Sequence, residues 1–396
     1  MRREFAVLLT VLAVTVLSLA PSARGGEERT ILPIRPLEGQ DSFIQKLCIQ
    51  CHSIQGVGGK TGPDLGEIWL GSFMDITAKL WNHFPRMNEA FRKAKLPRPS
   101  LSADEAQQLI TFLYFLNYFD KTASAEVGEK LFREKNCIRC HAVGGKGGAV
   151  GPALDAYQGR YAAPFITAAL WNKGPKMMQT MLDKKVPRPG FEERDVVDIL
   201  AFIRVKGLYE HTTRQYVPPG DPGHGQELFR DKNCVHCHSI AGKGGALAPD
   251  LAKRSLKGRL SYILSHLWNH GSRMWPLMEK EGIKFPQFTP TEMSDLMTYL
   301  YFLEFQDPPG SAARGKVLFA EKRCALCHLP ATAGAQTVGP NLARVGLDSR
   351  AKVVAEMWNH SPAIEARMGE GRIRWPLFDK KEMGDLIEYI LSLSRP

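Results

Sequence analysis

The segment Cys48-Ile-Gln-Cys51-His52 follows a five-residue pattern that occurs four times in this 396-residue chain. Each copy has two cysteines separated by two residues, and a histidine directly after the second cysteine. The other copies are Cys137-Ile-Arg-Cys140-His141, Cys234-Val-His-Cys237-His238 and Cys324-Ala-Leu-Cys327-His328. Together they use all eight cysteines, so one pattern accounts for every thiol in the chain.

This pattern is the attachment signature of c-type haem. Two intervening residues make about one helical turn, which sets both sulfurs and the imidazole around one porphyrin face. A redox disulfide does not explain the recurring histidine, and a zinc site would need further thiols that the chain lacks. We therefore predict four covalently bound haem c groups. The attachment residues are Cys48, Cys51, Cys137, Cys140, Cys234, Cys237, Cys324 and Cys327, and the iron ligands on one side are His52, His141, His238 and His328.

The start of the chain is typical of a secretory signal peptide. Arg2 and Arg3 precede an uncharged apolar run from Phe5 to Ala20, and small residues follow. We expect a signal peptide over residues 1–25 and hence a periplasmic or extracellular protein. A retained anchor is the alternative, since the apolar run is only slightly shorter than a span of about 20 residues. Contact with a membrane is expected only in that case.

The formal charge of +11 does not indicate a nucleic-acid partner. The propionates of four haems would offset most of this charge, so we expect no nucleic-acid binding. Local charge is more informative, because Lys60, Lys146 and Lys243 lie in Gly-rich loops soon after three of the motifs. They would ring haem edges and steer an acidic partner, although a solvated loop explains them equally well.

The chain consists of four repeats of one unit. The first cysteines of the motifs are separated by 89, 97 and 90 residues. Each repeat reads as a short helix, the cysteine motif, a Gly-rich loop, a Pro-x-Leu element, an apolar helix that ends in Trp-Asn, and an amphipathic closing helix. No stretch alternates with period two, so we expect no substantial sheet. The prolines are Pro63, Pro152, Pro249 and Pro340, and the tryptophans are Trp81, Trp171, Trp268 and Trp358.

Pro/Gly-rich segments separate the repeats and set the predicted domain boundaries. Because the middle spacing is the longest, we expect repeats 1 and 2 to pack as one pair and repeats 3 and 4 as another. The predicted organisation is a signal peptide (1–25), an N-terminal linker (26–38), domain 1 (39–122), domain 2 (123–208), a linker (209–223), domain 3 (224–306), a linker (307–312) and domain 4 (313–396).

Each repeat resembles a class I cytochrome c domain in its opening helix, Cys-x-x-Cys-His motif, Gly-Pro-x-Leu loop and closing helix. The resemblance implies an all-α fold of four tandem class I cytochrome c-like domains, each wrapped around one covalent haem. It also implies that the carbonyl of the loop proline accepts a hydrogen bond from the motif imidazole and so orients it. Repeat 3 departs slightly, with Ala248 where the other repeats have glycine.

The sixth iron ligand does not follow the family pattern. The resemblance implies a methionine directly before a proline, but the chain has Arg98, Arg188, Phe285 and Trp375 at those positions. Methionine stands six residues after the tryptophan in repeats 1 to 3 and ten residues after it in repeats 2 to 4, and these two positions share one face of a helix. We predict the ligands Met87, Met177, Met274 and Met368. Open alternatives are methionines that only pack the core, the neighbours Met181 and Met278, and His83, His270 and His360.

Tryptophan and asparagine recur together in every repeat. Two interpretations are equally supported: that the indole and amide groups bind haem propionates, or that the indole wedges against the porphyrin edge with its N–H satisfied locally. Four further histidines occur once each and are interpreted as surface or core residues. They are His211, His224, His236 and His266.

These observations favour an exported tetrahaem c-type cytochrome that carries single electrons. Its partners would be electron donor and acceptor proteins that dock at exposed haem edges. The sequence shows no separate substrate site, so we expect no enzymatic chemistry of its own. The alternatives are a haem enzyme with one open iron site, or a cytochrome subunit of a larger oxidoreductase or haem wire.

Overall fold

The computed structural model describes residues 38–118, 123–156, 162–206, 219–253, 259–328 and 339–394. The predicted signal peptide and nearly all of the N-terminal linker lie outside these ranges, as do residues 209–218 of the middle linker and His211. None of the helices in the described part of the chain has the length and apolar character that a membrane crossing requires.

Each repeat contains the same three helices, which confirms the all-α prediction. The opening helices are Glu38–Gln45, Ala125–Glu134, Pro222–Asp231 and Ala312–Glu321. The long helices are Phe73–Ala94, Ala163–Asp183, Leu260–Lys280 and Arg350–Glu370. The closing helices are Ala103–Phe115, Asp195–Lys206, Pro290–Phe302 and Lys380–Leu393.

Between the opening and long helices lie the motif turn and short irregular elements. The motif turns are the α-helical turns Cys48–Cys51 and Cys234–Cys237 and the 3₁₀ turns Cys137–Arg139 and Cys324–Leu326. Further 3₁₀ turns in this part are Leu154–Ala156 and Leu251–Lys253, whereas Leu303–Phe305 follows the closing helix of repeat 3. Three antiparallel hairpins follow the motifs of repeats 1 to 3, each with two-residue strands. They pair Ser53–Ile54 with Val57–Gly58, Ala142–Val143 with Lys146–Gly147, and Ser239–Ile240 with Lys243–Gly244.

The opening helix of each repeat crosses its closing helix in close contact, and a glycine makes this possible. A Cβ atom on Gly128 would lie only 1.8 Å from the carbonyl oxygen of Asp198, which no side chain tolerates. Gly39, Gly225 and Gly315 take the same position in the other repeats. The crossing fixes the opening helix, which leads into the motif turn, against the closing helix.

The long helices extend well beyond Trp-Asn, where the sequence pattern predicted their end. In each repeat a proline lies inside the helix, at Pro85, Pro175, Pro276 and Pro362. A proline inside a helix has no N–H for the carbonyl four residues earlier, which is a usual signal for a helix end. Here Pro85 frees the carbonyl of Trp81, and the indole N–H of Trp375 in repeat 4 bonds to it at 3.1 Å.

The repeats pack in pairs, but the predicted pairs are wrong. Repeat 1 pairs with repeat 4, and repeat 2 pairs with repeat 3. In every repeat the indole N–H of the long-helix tryptophan donates to a carbonyl in the paired repeat at 2.8 Å. The four bonds run from Trp81 to Pro376, from Trp171 to Pro286, from Trp268 to Pro189 and from Trp358 to Pro99.

The neighbouring asparagine strengthens each pair with two further bonds. In repeat 2, the Asn172 amide donates to the carbonyl oxygen of Phe288 at 2.8 Å and accepts from its N–H at 3.0 Å. Asn82, Asn269 and Asn359 form the same two bonds with Phe378, Phe191 and Leu101. The Trp-Asn pairs therefore join repeats, and neither sequence interpretation placed their hydrogen bonds correctly.

The residue before each closing-loop proline stacks on the tryptophan of the paired repeat. In repeats 1 and 2 this residue is an arginine: Arg98 lies 3.8 Å from a ring centroid of Trp358, and Arg188 lies 4.4 Å from one of Trp268. In repeats 3 and 4 it is aromatic, and stacked centroids lie 5.3 Å apart for Phe285 on Trp171 and 4.5 Å apart for Trp375 on Trp81. Each pair thus combines one arginine stack with one aromatic stack.

The two pairs meet through the closing helices of repeats 1 and 3. Tyr114 donates to the carbonyl oxygen of Tyr301 at 2.7 Å, and Tyr301 donates to that of Tyr114 at 3.0 Å. Both tyrosines hold the same position in their helices, so the contact is reciprocal. The corresponding residues are Arg204 in repeat 2 and Leu391 in repeat 4. The repeats therefore follow one another in space in the order 2, 3, 1, 4.

The linker between repeats 3 and 4 is anchored on repeat 1. Asp307, whose side chain is 3% exposed, accepts bonds from Ser72 Oγ and from the Met74 N–H, both at 2.7 Å. Its carboxylate also pairs with Lys380 of repeat 4 at 2.9 Å. The negative charge lies at the N-terminus of the long helix of repeat 1, where the helix dipole favours it.

Candidate haem-binding sites

A left-handed residue starts each motif turn. Leu47, Asn136, Asn233 and Arg323 have φ between 62° and 69°. In each repeat the N–H of the motif histidine then donates to the carbonyl oxygen of the first cysteine, as His52 does to Cys48 at 2.9 Å. The backbone therefore closes into one tight turn that holds the two cysteines and the histidine together.

The motif histidine of every repeat is oriented by the proline that follows it in the loop. Nδ1 donates to the proline carbonyl oxygen at 3.1, 2.9, 3.0 and 3.0 Å in repeats 1 to 4. A carbonyl can only accept, so Nδ1 carries the proton and Nε2 keeps its lone pair. That is the tautomer that an iron ligand needs, and the second bond fixes the plane of the ring. The pairs are His52–Pro63, His141–Pro152, His238–Pro249 and His328–Pro340.

The residue before each proline packs against the imidazole. A Cβ atom on Gly151 would lie 2.3 Å from the ring of His141, and Gly62 and Gly339 are similarly close to theirs. Repeat 3 has Ala248 at this place, yet its N–H keeps the equivalent bond to the carbonyl oxygen of Cys237 at 2.9 Å. The loop of repeat 3 therefore holds its imidazole with slightly different packing.

Repeat 3 contains a cavity with a volume of about 570 Å³. Cys234, Cys237 and His238 line it, together with Met274 and Met278 of the long helix. Most of the lining surface is apolar, with Ile263, Leu277, Leu296 and Leu300 among its residues. A mostly apolar cavity that also contains the two thiols and the imidazole of the motif suits a covalently attached haem.

The structure places the predicted sixth ligands without choosing among them. In repeat 3, Met274, Met278 and His270 all line the cavity that holds His238. Met87 and Met177 are half-buried against the core of their repeats, and Met368 is also half-buried. Met87, Met177, Met274 and Met368 therefore stay predictions. In repeat 1, partial burial and then the charges of His52 and Arg86 lower the pKa of His83, so His83 lies near the motif histidine.

Burial perturbs the first cysteine of every motif, and in repeat 3 it also raises the pKa of the second cysteine, Cys237. It raises the pKa of Cys48, Cys137, Cys234 and Cys324 to about 11. Before haem is attached, these buried thiols therefore stay protonated at neutral pH. The eight cysteines form no disulfide. In the described ranges no three His, Cys, Asp or Glu side chains converge as a metal site, which gives the zinc alternative no support.

Other residues that the sequence singled out lie around these sites. Lys146 and Lys243 are exposed on the hairpins and Lys60 is exposed just after one, so their role in steering a partner stays a prediction. His236 is exposed, and His224 pairs with Asp295 at 2.7 Å. His266 lines the cavity of repeat 3 beside Tyr262, although it was interpreted as a surface or core residue.

Sequence reasoning also missed a wall residue that comes from another repeat. Trp171 lines it, although Trp171 belongs to repeat 2 and the haem motif belongs to repeat 3. The aromatic residue Phe285, in place of the expected methionine, was the available signal, because it stacks on Trp171.

Comparison with known proteins places most of the chain in one family. The cytochrome c family model matches residues 125–205, 223–303 and 312–394, together more than half of the chain. Cytochrome bc1 complex cytochrome c subunits of Mycobacterium bovis and Mycobacterium tuberculosis are 31% identical over 164 residues, which cover 37% of this chain and 56% of theirs. The corresponding subunit of Mycobacterium leprae is 30% identical over 161 residues, or 37% and 53%. The chain thus spans about half the length of these curated relatives, and no solved structure matches it significantly.

Proposed function

Because the chain belongs to the cytochrome c family, we propose that it is an exported tetrahaem cytochrome that passes single electrons between redox proteins. The geometry of the motif histidines supports a count of four haems. All four motif histidines, including His52 in the repeat that the family model does not match, donate Nδ1 to a loop proline. A haem attached at each motif would supply one reversible electron at its iron.

The chain's own residues would hold and tune these haems. The paired cysteines attach them, and the proline carbonyls fix the imidazoles in the iron-binding tautomer. We propose Met87, Met177, Met274 and Met368 as the opposite ligands, which would raise the haem potentials. The mostly apolar lining of the repeat 3 cavity would limit water at a bound haem and so favour its ferrous state.

Haem mass and iron content test the first part of this proposal. The mature protein should exceed its peptide mass by four haems, contain four irons and no zinc, and keep its haem on a denaturing gel. N-terminal sequencing should begin after residue 25 if the signal peptide is removed. A mass increase of three haems, with the motif of repeat 1 unmodified, would contradict a tetrahaem protein.

Low-temperature magnetic circular dichroism tests the ligands. Four His/Met haems would give a near-infrared sulfur-to-iron band of fourfold intensity, and Met368→Ala should remove a quarter of it. Met177→Ala is a useful control, because Met181 lies one helical turn away and would replace it. An unchanged band in Met368→Ala would favour His360, and a high-spin ferric signal would indicate an open iron site and hence the enzyme alternative.

The mycobacterial relatives favour one setting for this electron transfer. These relatives are named as subunits of a cytochrome bc1 complex, so we propose that this chain docks on a membrane oxidoreductase complex. A tagged form of the protein should then co-purify with b-type haem in a fixed ratio from mild detergent. Added quinol should reduce the c-type haems in that preparation. Reduction at the same rate by quinol without the co-purified b-type haem would contradict this setting.

A further inference from the structure

We propose that each haem pocket is completed by the paired repeat. The long-helix tryptophan of one repeat forms a wall of the haem pocket in the other. The inference rests on the proposed function, since it assigns one wall residue to each of four haems. Trp171 would serve the haem of repeat 3, Trp268 that of repeat 2, Trp81 that of repeat 4 and Trp358 that of repeat 1.

The direct observation is the cavity of repeat 3. Its lining contains Cys234, Cys237 and His238, which attach the haem of repeat 3, together with Trp171 of repeat 2. Trp171 is only 7% exposed, and its indole is held by the bond to Pro286 and the stack on Phe285. The ring is therefore fixed at this wall by residues of repeat 3.

The same hydrogen bonds fix the other three tryptophans in the same relation to their paired repeats. All four indole N–H bonds are 2.8 Å long and end on the proline ahead of a closing helix. Because the repeats share one fold, an indole held at that proline lies at the equivalent wall in each of them. The arrangement is reciprocal, so each repeat of a pair contributes a wall to the other.

A second observation marks the same place in repeats 1 and 2. Nε and Nη2 of Arg98, and Nε of Arg188, are buried and find no acceptor among the described residues. Both guanidinium groups stack on the tryptophan of the paired repeat, Trp358 and Trp268. A buried N–H without an acceptor is costly, and a haem propionate beside these indoles would supply a charged one. The guanidinium N–H groups without an acceptor therefore point to a carboxylate beside the tryptophan of the paired repeat.

This arrangement predicts which haem responds to a given tryptophan. A smaller ring at position 171 would loosen the wall of the repeat 3 pocket, while the repeat 2 pocket keeps Trp268. Water that enters a haem pocket favours the ferric state and lowers the midpoint potential. Substitution in repeat 2 should therefore lower the potential of the haem in repeat 3.

Nuclear magnetic resonance of the full-length, haem-loaded protein tests the inference. Pro152→Ala and Pro249→Ala keep the carbonyl oxygen but alter the loop beside the imidazole, so they identify the haem-methyl signals of repeats 2 and 3. Trp171→Phe should then shift the signals of repeat 3, lower that haem's potential and leave the signals of repeat 2 in place. Trp81→Phe is the matched control, because it acts in the other pair and should move neither set.

A second measurement needs no substitution in the wall. In the ferrous wild-type protein, Trp171 ring protons should show a nuclear Overhauser contact to the methyls of the haem in repeat 3. If Trp171→Phe shifts the signals of repeat 2 instead, or the contact is to that haem, the inference is wrong. Failure of the proposed function would be visible separately, as a haem mass below four.

Discussion

The guanidinium of Arg98 in repeat 1 lies over the indole of Trp358 in repeat 4 and donates to that residue's carbonyl oxygen at 3.1 Å. The carbonyl is available because Pro362, four residues later in the long helix, has no N–H. Ser361 of the same helix also donates to this oxygen, at 3.0 Å. A helix-interior proline thus creates an acceptor that the paired repeat uses.

Arg98→Lys should weaken the pair of repeats 1 and 4. Lysine keeps the charge but loses the planar stack and the geometry of the bond to Trp358. Stacking of a cation on an indole is worth about 0.5–2 kcal/mol, so we expect a loss of about 1–2 kcal/mol in the free energy of unfolding. Urea unfolding of the haem-loaded protein measures it. Arg86→Lys, at an exposed position of repeat 1, should change stability far less, and equal effects would contradict this role for Arg98.

The haem-attachment half of each site could be predicted from sequence because it is local. His52 and Pro63 lie 11 residues apart, and the motif turn closes over one helical turn, so spacing alone determines the geometry. The long helices were harder, because Pro85 looks like a helix end when the partner that satisfies the free carbonyl is unknown. Trp375 lies 294 residues away from that carbonyl.

The pairing of repeats was not predictable from the recurring residues. Trp81 and Asn82 have equivalents in all four repeats, so they cannot specify which copies meet. The pairing is specified by positions at which the repeats differ. Repeat 1 has Arg98 where repeat 4 has Trp375, and only repeats 1 and 3 have the tyrosines Tyr114 and Tyr301. Chain spacing favoured neighbours in sequence, but tertiary packing decides the order, and a repeat of 89 to 97 residues is long enough to allow it.

Asn172→Ala should open the pair of repeats 2 and 3 locally. The substitution removes both bonds to the backbone of Phe288 and leaves its N–H and carbonyl without these partners. Each lost bond of this kind costs about 0.5–1.5 kcal/mol, so we expect a loss of about 1–3 kcal/mol. Amide hydrogen exchange at Phe288 should accelerate by more than tenfold. Lys173→Ala, at the next, exposed position, is the control. Equal exchange in both variants would show that the Asn172 bonds do not hold Phe288 in place.

Gly174→Ala tests the packing that is specific to this pair. Its Cβ atom would lie 2.4 Å from the ring of Trp275, whereas Gly369 in the long helix of repeat 4 has no heavy atom within 4 Å. Overpacking costs about 1–3 kcal/mol, and alanine in a helix gains up to about 1 kcal/mol over glycine. Gly174→Ala should therefore lower the thermal midpoint and Gly369→Ala should raise it slightly. A rise in both would show that Trp275 moves aside freely.

The pH dependence of stability should contain a contribution from His224. A hydrogen bond to the buried carboxylate of Asp295 raises the pKa of His224 above its ordinary 6.5. A group whose pKa is raised by folding stabilises the fold fully below its unfolded pKa, and this stabilisation is lost as the pH rises through the folded pKa. The contact joins the opening and closing helices of repeat 3, so it affects the crossing that holds the haem motif.

His224→Gln should remove this pH dependence, because glutamine can still donate to Asp295 but does not titrate. We expect the thermal midpoint of the wild-type protein to fall as the pH rises above about 6.5, and that of His224→Gln to fall less over the same interval. His236→Gln is the matched control, since that exposed histidine lies 4.0 Å from Glu281 and its pair is weak. Parallel curves for the wild-type protein and His224→Gln would mean that the ion pair with Asp295 does not stabilise repeat 3, and that Asp295 is held by its bond from the Asp221 N–H alone.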